Sequence, residues 1–189
     1  MDDRAVAKPH RLRFRFVTED RWLLGHVSSI HRRLIDVLNA EPNQPMLVAE
    51  GVTVQNDYFP TREDDSRAFA TVNLSRVLLV IPQDDEPPAS APDPYAWVPK
   101  RAELVRVGIG PYEVVGNAHL PEGTDLKEGI AEAKTRFVTL TNAMVRRING
   151  PNYMEQERVV LVNKERLDFI MPGPAAPMFE FDETQGLLD

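Results

Sequence analysis

Cysteine is absent from this 189-residue chain, which excludes disulfides, thiolate nucleophiles and every cysteine-ligated metal site. Long apolar runs are absent too. The longest, residues 77–81, falls far short of the roughly 20 residues that a membrane-spanning helix needs. The opening MDDRAVAKPH lacks the apolar stretch of a secretory signal, so the expected setting is the cytoplasm. Positive charge is in short supply: 22 Lys and Arg stand against 29 Asp and Glu, a net charge of -7. That balance disfavours nonspecific attraction to nucleic acid or anionic lipid, though a local basic face can override an average.

Sites that carry chemistry are missing as well. The four histidines, His10, His26, His31 and His119, show no His-x-x-x-His spacing, so no metal and no cofactor is expected. Acidic runs occur at Glu63, Asp64 and Asp65, at Asp84, Asp85 and Glu86, and at Glu180, Asp182 and Glu183. They lie beside proline and arginine in loops, where carboxylates stay ionised and solvated. Gly108-Ile109-Gly110-Pro111 approaches a phosphate cradle, but proline lacks the needed N–H and no helix follows, so it reads as a hairpin turn. Ser28 and Ser29 have no nucleophile elbow around them. No catalytic residue is assigned, and an enzyme is not expected.

What the chain does have is one ending written twice. NLSRVLLVIP (residues 73–82) and NKERLDFIMP (residues 163–172) share Asn-x-x-Arg, an apolar residue, two variable places, two apolar residues and proline. RWLLGHVSSI meets YEVVGNAHLP at an offset of 91, with Gly25 opposite Gly116, and PMLVAEGVTV meets RFVTLTNAMV at the same offset. The endings match at an offset of 90, so a single residue of slippage covers the span, and three blocks in order indicate a duplicated unit.

Each unit has the same grammar. In HRLRFRFVTED, Leu12, Phe14 and Phe16 alternate with Arg11, Arg13 and Arg15, the period of a strand with one apolar face. WLLGHVSSI is a second strand interrupted by Gly25, and a helix with Ser29 as cap and Ile30, Leu34 and Leu38 on its apolar face follows. MLVAEGVTVQ, SRAFATVN and RVLLVIP complete five strands. In the second unit, ELVRVGIG and YEVVGNAHL precede a helix begun by Asp125 and Glu128 and faced by Leu126 and Ile130. RFVTLTNAMVRRI, QERVVLVN and RLDFIMP follow. The expected fold is mainly β (α+β): two tandem five-stranded small barrels, each with one short inserted helix, because closure hides strand edges. The divisions are residues 1–82, a proline-rich acidic linker at 83–102, a second barrel at 103–172 and an acidic, apolar tail at 173–189.

A strand with a bend glycine, then an Asn- or Arg-tipped turn feeding a final apolar strand, resembles the Sm-like fold among SH3-like small barrels. RLIDVLN followed by a Leu/Val-rich strand also resembles a bacterial family of small Sm-like-looking proteins without assigned function. The resemblance implies that strands four and five carry subunit contacts. It does not carry RNA binding across: a helix occupies the place of the RNA-holding Asp-x-x-x-Asn turn. Val77 and Leu167 stand where the family's glycine follows Arg76 and Arg166.

Three groups of residues remain as candidates. Arg76 and Arg166, placed alike, are expected to tie the last turn of each unit. Arg11, Arg13, Arg15, Arg32, Arg33, Arg146 and Arg147 form either a solvated polar face or a docking surface for acidic peptide or phosphate. Met178, Phe179, Phe181, Leu187 and Leu188, set among acids, suit docking on a groove or sheet edge, or cover the chain's own barrel. The function expected is that of a non-catalytic structural or adaptor subunit of a larger protein assembly, docking through barrel edges and proline- and acid-rich segments. The alternative is an Sm-like RNA- or nucleotide-binding regulatory module.

Overall fold

The computed structural model describes residues 9–30, 33–41, 43–56, 65–84, 99–131, 133–148 and 154–174. The first half comprises β1 (His10–Val17), β2 (Arg21–Ser29), α1 (Leu34–Asn39), β3 (Met46–Asn56), β4 (Asp65–Asn73) and β5 (Leu79–Pro82). The second comprises β6 (Lys100–Ile109), β7 (Tyr112–Pro121), α2 (Leu126–Ala131), β8 (Phe137–Arg147), β9 (Met154–Asn163) and β10 (Phe169–Pro172). The alternation in β1 does what its period predicts: Leu12, Phe14 and Phe16 are buried while Arg11 and Arg13 are exposed. β6 begins at Lys100, so the last residues of the 83–102 segment belong to a strand, and residues 85–98 lie outside the described residues.

All ten strands join one antiparallel sheet in the order β10-β6-β7-β8-β9-β5-β1-β2-β3-β4. The five-strand order of the first half, last-first-second-third-fourth, recurs in the second. Two separate closed barrels do not form. The halves meet edge to edge through β5 and β9, and the sheet is open, with β4 and β10 at its ends. The physical reason lies in β5, whose run of apolar residues is buried on both faces and whose second main-chain edge must also be paired.

Small details recur with the strand order. The β2–β3 ladder slips between Leu24 and His26, and the β7–β8 ladder slips between Val115 and Asn117, so Gly25 and Gly116 both lie at bulges. Facing them, Gly51 at φ 57° and Asn142 at φ 49° both adopt the left-handed conformation that such a bulge requires. A 3-10 turn joins the fourth and fifth strands of each half, at Leu74–Arg76 and at Lys164–Arg166. Asn73 and Asn163 cap these turns, each side-chain oxygen accepting from the N–H two residues on. Arg76 and Arg166 do end the turns, but the bonds that tie them come from the asparagines. Arg76 is exposed, and Arg166 reaches away to Glu19 at 2.8 Å.

The helices are short. α1 starts only at Leu34, with Arg33 rather than Ser29 at its N-cap and no side-chain cap bond, and Ile30 is left exposed. Leu34 and Leu38 are its buried residues, with Ile35 and Val37 packed partly against the same core, and its six residues make less than two turns. In α2 the cap is as expected: the Glu128 N–H donates to Asp125 Oδ1 at 2.7 Å. Among the described residues no helix is long and apolar enough to cross a membrane.

Two cores fill the molecule. The first gathers Leu12, Phe14, Phe16, Leu34, Leu38 and Val52 from the first half, and the second gathers Val105, Val107, Ile109, Tyr112, Val114 and Leu140 from the second. Neither is self-contained. Leu79 and Ile81 of the first half lie in the second core, while Phe137 and Leu161 of the second half lie in the first.

Candidate interaction edges

The contact between the halves shows what this fold needs in order to join two strand edges. Leu79 faces Val162 and Val80 faces Leu161 across β5 and β9. Just beyond the ladder, Asn163 is fully buried. Its main-chain N–H donates to Leu78 O at 3.0 Å, and its side-chain amide donates to Val77 O at 2.8 Å and Leu74 O at 3.1 Å. One side chain thus satisfies two carbonyls of the facing turn while its oxygen caps its own turn, using its donors and its acceptor together. On α1, Asn39 both donates to Phe137 O at 3.1 Å and accepts from Phe137 N at 2.9 Å.

Charge pairs flank this joint. Arg15 bonds Glu155 at 2.5 Å and Glu157 at 2.6 Å and lies over the Trp22 ring. Burial pushes the Glu157 carboxyl above its ordinary value and the neighbouring Glu155 adds to that, with Arg15 only partly offsetting both. Arg13 pairs with Asp84 at 2.6 Å. Burial alone would raise Asp84, but main-chain and side-chain hydrogen bonds from Arg13 carry it below its ordinary value.

These pairs change the meaning of the candidate basic surface. Arg33 binds Asp36, Arg146 binds Glu113 at 2.9 Å, and buried Arg147 lies over Tyr112 and bonds Glu19 O at 3.5 Å, with burial lowering its pKa. Arg106 shares Glu113 with Arg146. Of the seven arginines, Arg11 is exposed on β1 and Arg32 lies outside the described residues. The structure does not gather the others into one positive face, since each has a local carboxylate or a ring beside it. The five apolar tail residues Met178, Phe179, Phe181, Leu187 and Leu188 also lie outside the described residues.

An open cleft of about 490 Å³ runs between α1, α2 and β8, lined in part by Ile35, Asn39, His119, Ile130 and Phe137. His119 Nε2 meets Thr141 Oγ1 at 2.8 Å, and no carboxylate lines the cleft among the described residues. A second cleft of about 550 Å³ lies over Gln83, Asp84, Glu157 and Arg158, beside the joint. No group of three or more His, Asp or Glu side chains able to hold a metal occurs among the described residues.

The sheet ends differ from its middle. On β10, Phe169 is 38% exposed and Met171 41% exposed. At the opposite end Met46, Val48 and Phe69 share one face of β3 and β4, with Phe69 65% exposed. Both end strands present an outer main-chain edge beside large apolar side chains, a combination that invites strand addition. Sequence reasoning singled out the tail and missed these residues. Their period-two placement marked them only as the second face of a strand, and what covers a face depends on its neighbour. No protein-family model, curated protein or solved structure matches the chain.

Proposed function

We propose that the chain is a non-catalytic structural subunit that joins a larger protein assembly by strand addition at the ends of an Sm-like sheet. The observation that carries this reading is the pair of end strands, β4 and β10, each with an outer edge unpaired among the described residues and with exposed large apolar residues beside it. The internal joint supports it, because it is an edge-to-edge contact of the same kind, completed by Asn163 and flanked by charge pairs. Arginines that sit beside local carboxylates or a ring direct attention to the edges rather than to a basic surface. The twice-used strand order supports the Sm-like scaffold.

The test is purification of the tagged full chain from its native host, with the co-purifying proteins identified and the complex rebuilt from purified parts. Recovery of a stoichiometric complex whose stability changes little with salt is the expected result. Recovery of RNA, released steeply as salt rises, would instead favour the nucleic-acid alternative. A bait that is monomeric and carries no stoichiometric protein would overturn the assembly reading.

A further inference from the structure

The joint inside the molecule is a template for the contact its ends are built to make. Leu79 and Ile81 of β5 enter the neighbouring half's core and are fully buried, while Val80 turns back into the core of its own half. Ninety residues on, Phe169, Ile170 and Met171 hold the same places in β10. Ile170 packs on the core of its own half, as Val80 does. Phe169 and Met171 alternate to the side that Leu79 and Ile81 take; the Phe169 ring lies over Gly108 of β6, and both residues remain exposed.

The receiving side matches. In β9 and β8, Val159, Leu161 and Phe137 pack on the other half's core, and Asn163 bonds its turn. At offsets of 90 and 91 their counterparts are Phe69, Thr71, Met46 and Asn73. The ladders are laid out identically: Phe137 faces Asn163 and Thr139 faces Leu161, as Met46 faces Asn73 and Val48 faces Thr71. The residues that bury a neighbour's core in the second half are therefore present and exposed in the first. Each end lacks what the other end offers.

We propose that β10 of one chain adds antiparallel to β4 of a second copy of the same chain, with Phe169 opposite Val72 and Ile170 opposite Thr71. This deepens the assembly reading by naming the partner as the chain itself. Phe169 and Met171 of one copy then enter the first core of the next. Asn73 takes the part of Asn163: its main-chain N–H donates to Asp168 O of the neighbouring copy, and its side-chain amide donates to Lys164 O and Leu167 O there. The contact is head to tail, so each added copy leaves one edge of each kind, and the series either closes into a ring or extends as a filament.

The experiment is native mass spectrometry and sedimentation velocity on the purified full chain over a wide concentration range. Two variants block one end each: Phe69→Lys with Thr71→Lys on β4, and Met171→Lys on β10. These side chains are exposed in the single chain, so at a concentration where the chain is monomeric each variant should keep the parent's circular dichroism and melting curve. The wild type is expected to give integral multiples of the chain mass. Each variant alone should associate at least about tenfold more weakly, the loss of one buried apolar contact. An equimolar mixture of the two should give a dimer of one copy of each and nothing larger, because only one compatible pair of edges remains. A wild type that stays monomeric at every concentration overturns the proposal, as does association that both variants leave unchanged. Association seen only after residues 175–189 are removed also overturns it for the full chain, since the chain's own tail would then be the occupant. A monomeric chain that still captures a different stoichiometric protein leaves the assembly reading standing and ends only the self-pairing.

Discussion

Two asparagines carry the same local duty in this molecule and very different neighbours. Asn163 is buried and donates to two carbonyls of the facing turn, whereas Asn73 caps its own turn on an exposed edge. Asn163→Ala leaves Leu74 O and Val77 O without those donors, and the expected loss is about 3 kcal/mol of stability. Asn73→Ala removes only a cap within the single chain, an expected loss of about 1 kcal/mol. Denaturant unfolding of the two variants, taken at a concentration where the chain is monomeric, checks the difference, and equal losses would show that the buried amide matters no more than the cap. Glu157 gives a second prediction. Its carboxyl is raised from an ordinary 4.5 by burial first and by Glu155 second, so just above that value the folded chain holds a proton that the unfolded chain has lost. Stability from this group therefore falls as pH rises through the folded value, and the loss is complete above it. Asp84, held below its ordinary value, works the other way: its contribution is present above 3.8 and is lost as pH falls through the folded value. Glu157→Gln should remove the first effect, which denaturant midpoints measured from pH 4 to 7 would show as a flatter curve on the alkaline side. A parent-like curve would mean that Arg15 neutralises Glu157 completely.

At the scale of elements, most of what forms was legible because periodicity and spacing are local. The β1 alternation, the repeated block order, the bulge at Gly25 and Gly116 and the Asp125 cap all follow from residues near one another in sequence. The start of the first helix was not legible: Ile30 fits the apolar spacing, but the strand of Arg21–Ser29 runs up to it and pairs with β1 through Ser29. The bulge partners were missed for a different reason. Gly51 and Asn142 are 91 residues apart, and only their shared left-handed backbone reveals that glycine and asparagine serve one purpose here. Gly51→Ala should then cost about 1–2 kcal/mol, since an added Cβ is strained at that φ and also meets the His26 ring at 3.3 Å. Asn142→Gly should be neutral or stabilising by about 0.5 kcal/mol. Thermal melts of both variants check the pair, and a destabilised Asn142→Gly would assign the asparagine side chain a role of its own.

For the molecule as a whole, sequence suggested two barrels because each repeat contains five strands, and five strands suffice to curl on themselves. Which edges pair is decided by burial on both faces, which no single strand records. Leu161 illustrates the point: in the sequence it is one apolar residue in VVLVN, yet it lies in the opposite core from Val160 and Val162 on either side of it. A strand that feeds two cores couples them, since neither core keeps its packing once β5 and β9 part. The chain should consequently unfold in one transition despite its repeat. Leu161→Ala should lower that transition by about 2–5 kcal/mol and should destabilise both halves together, although the side chain touches only the first core. The check is native-state hydrogen exchange, following β2 in the first half and β7 in the second. Equal loss of protection in both strands is expected, with Trp22 fluorescence and far-ultraviolet circular dichroism melting at one temperature. Loss confined to β2, or two separate transitions, would show that the halves are independent domains that merely touch. The same coupling bears on the ends: Phe169 and Phe69 hold places whose counterparts, Leu79 and Val159, pack across the joint on the core of the other half. A second copy seated there would extend one cooperative sheet rather than link separate bodies, so association should raise the melting temperature with protein concentration.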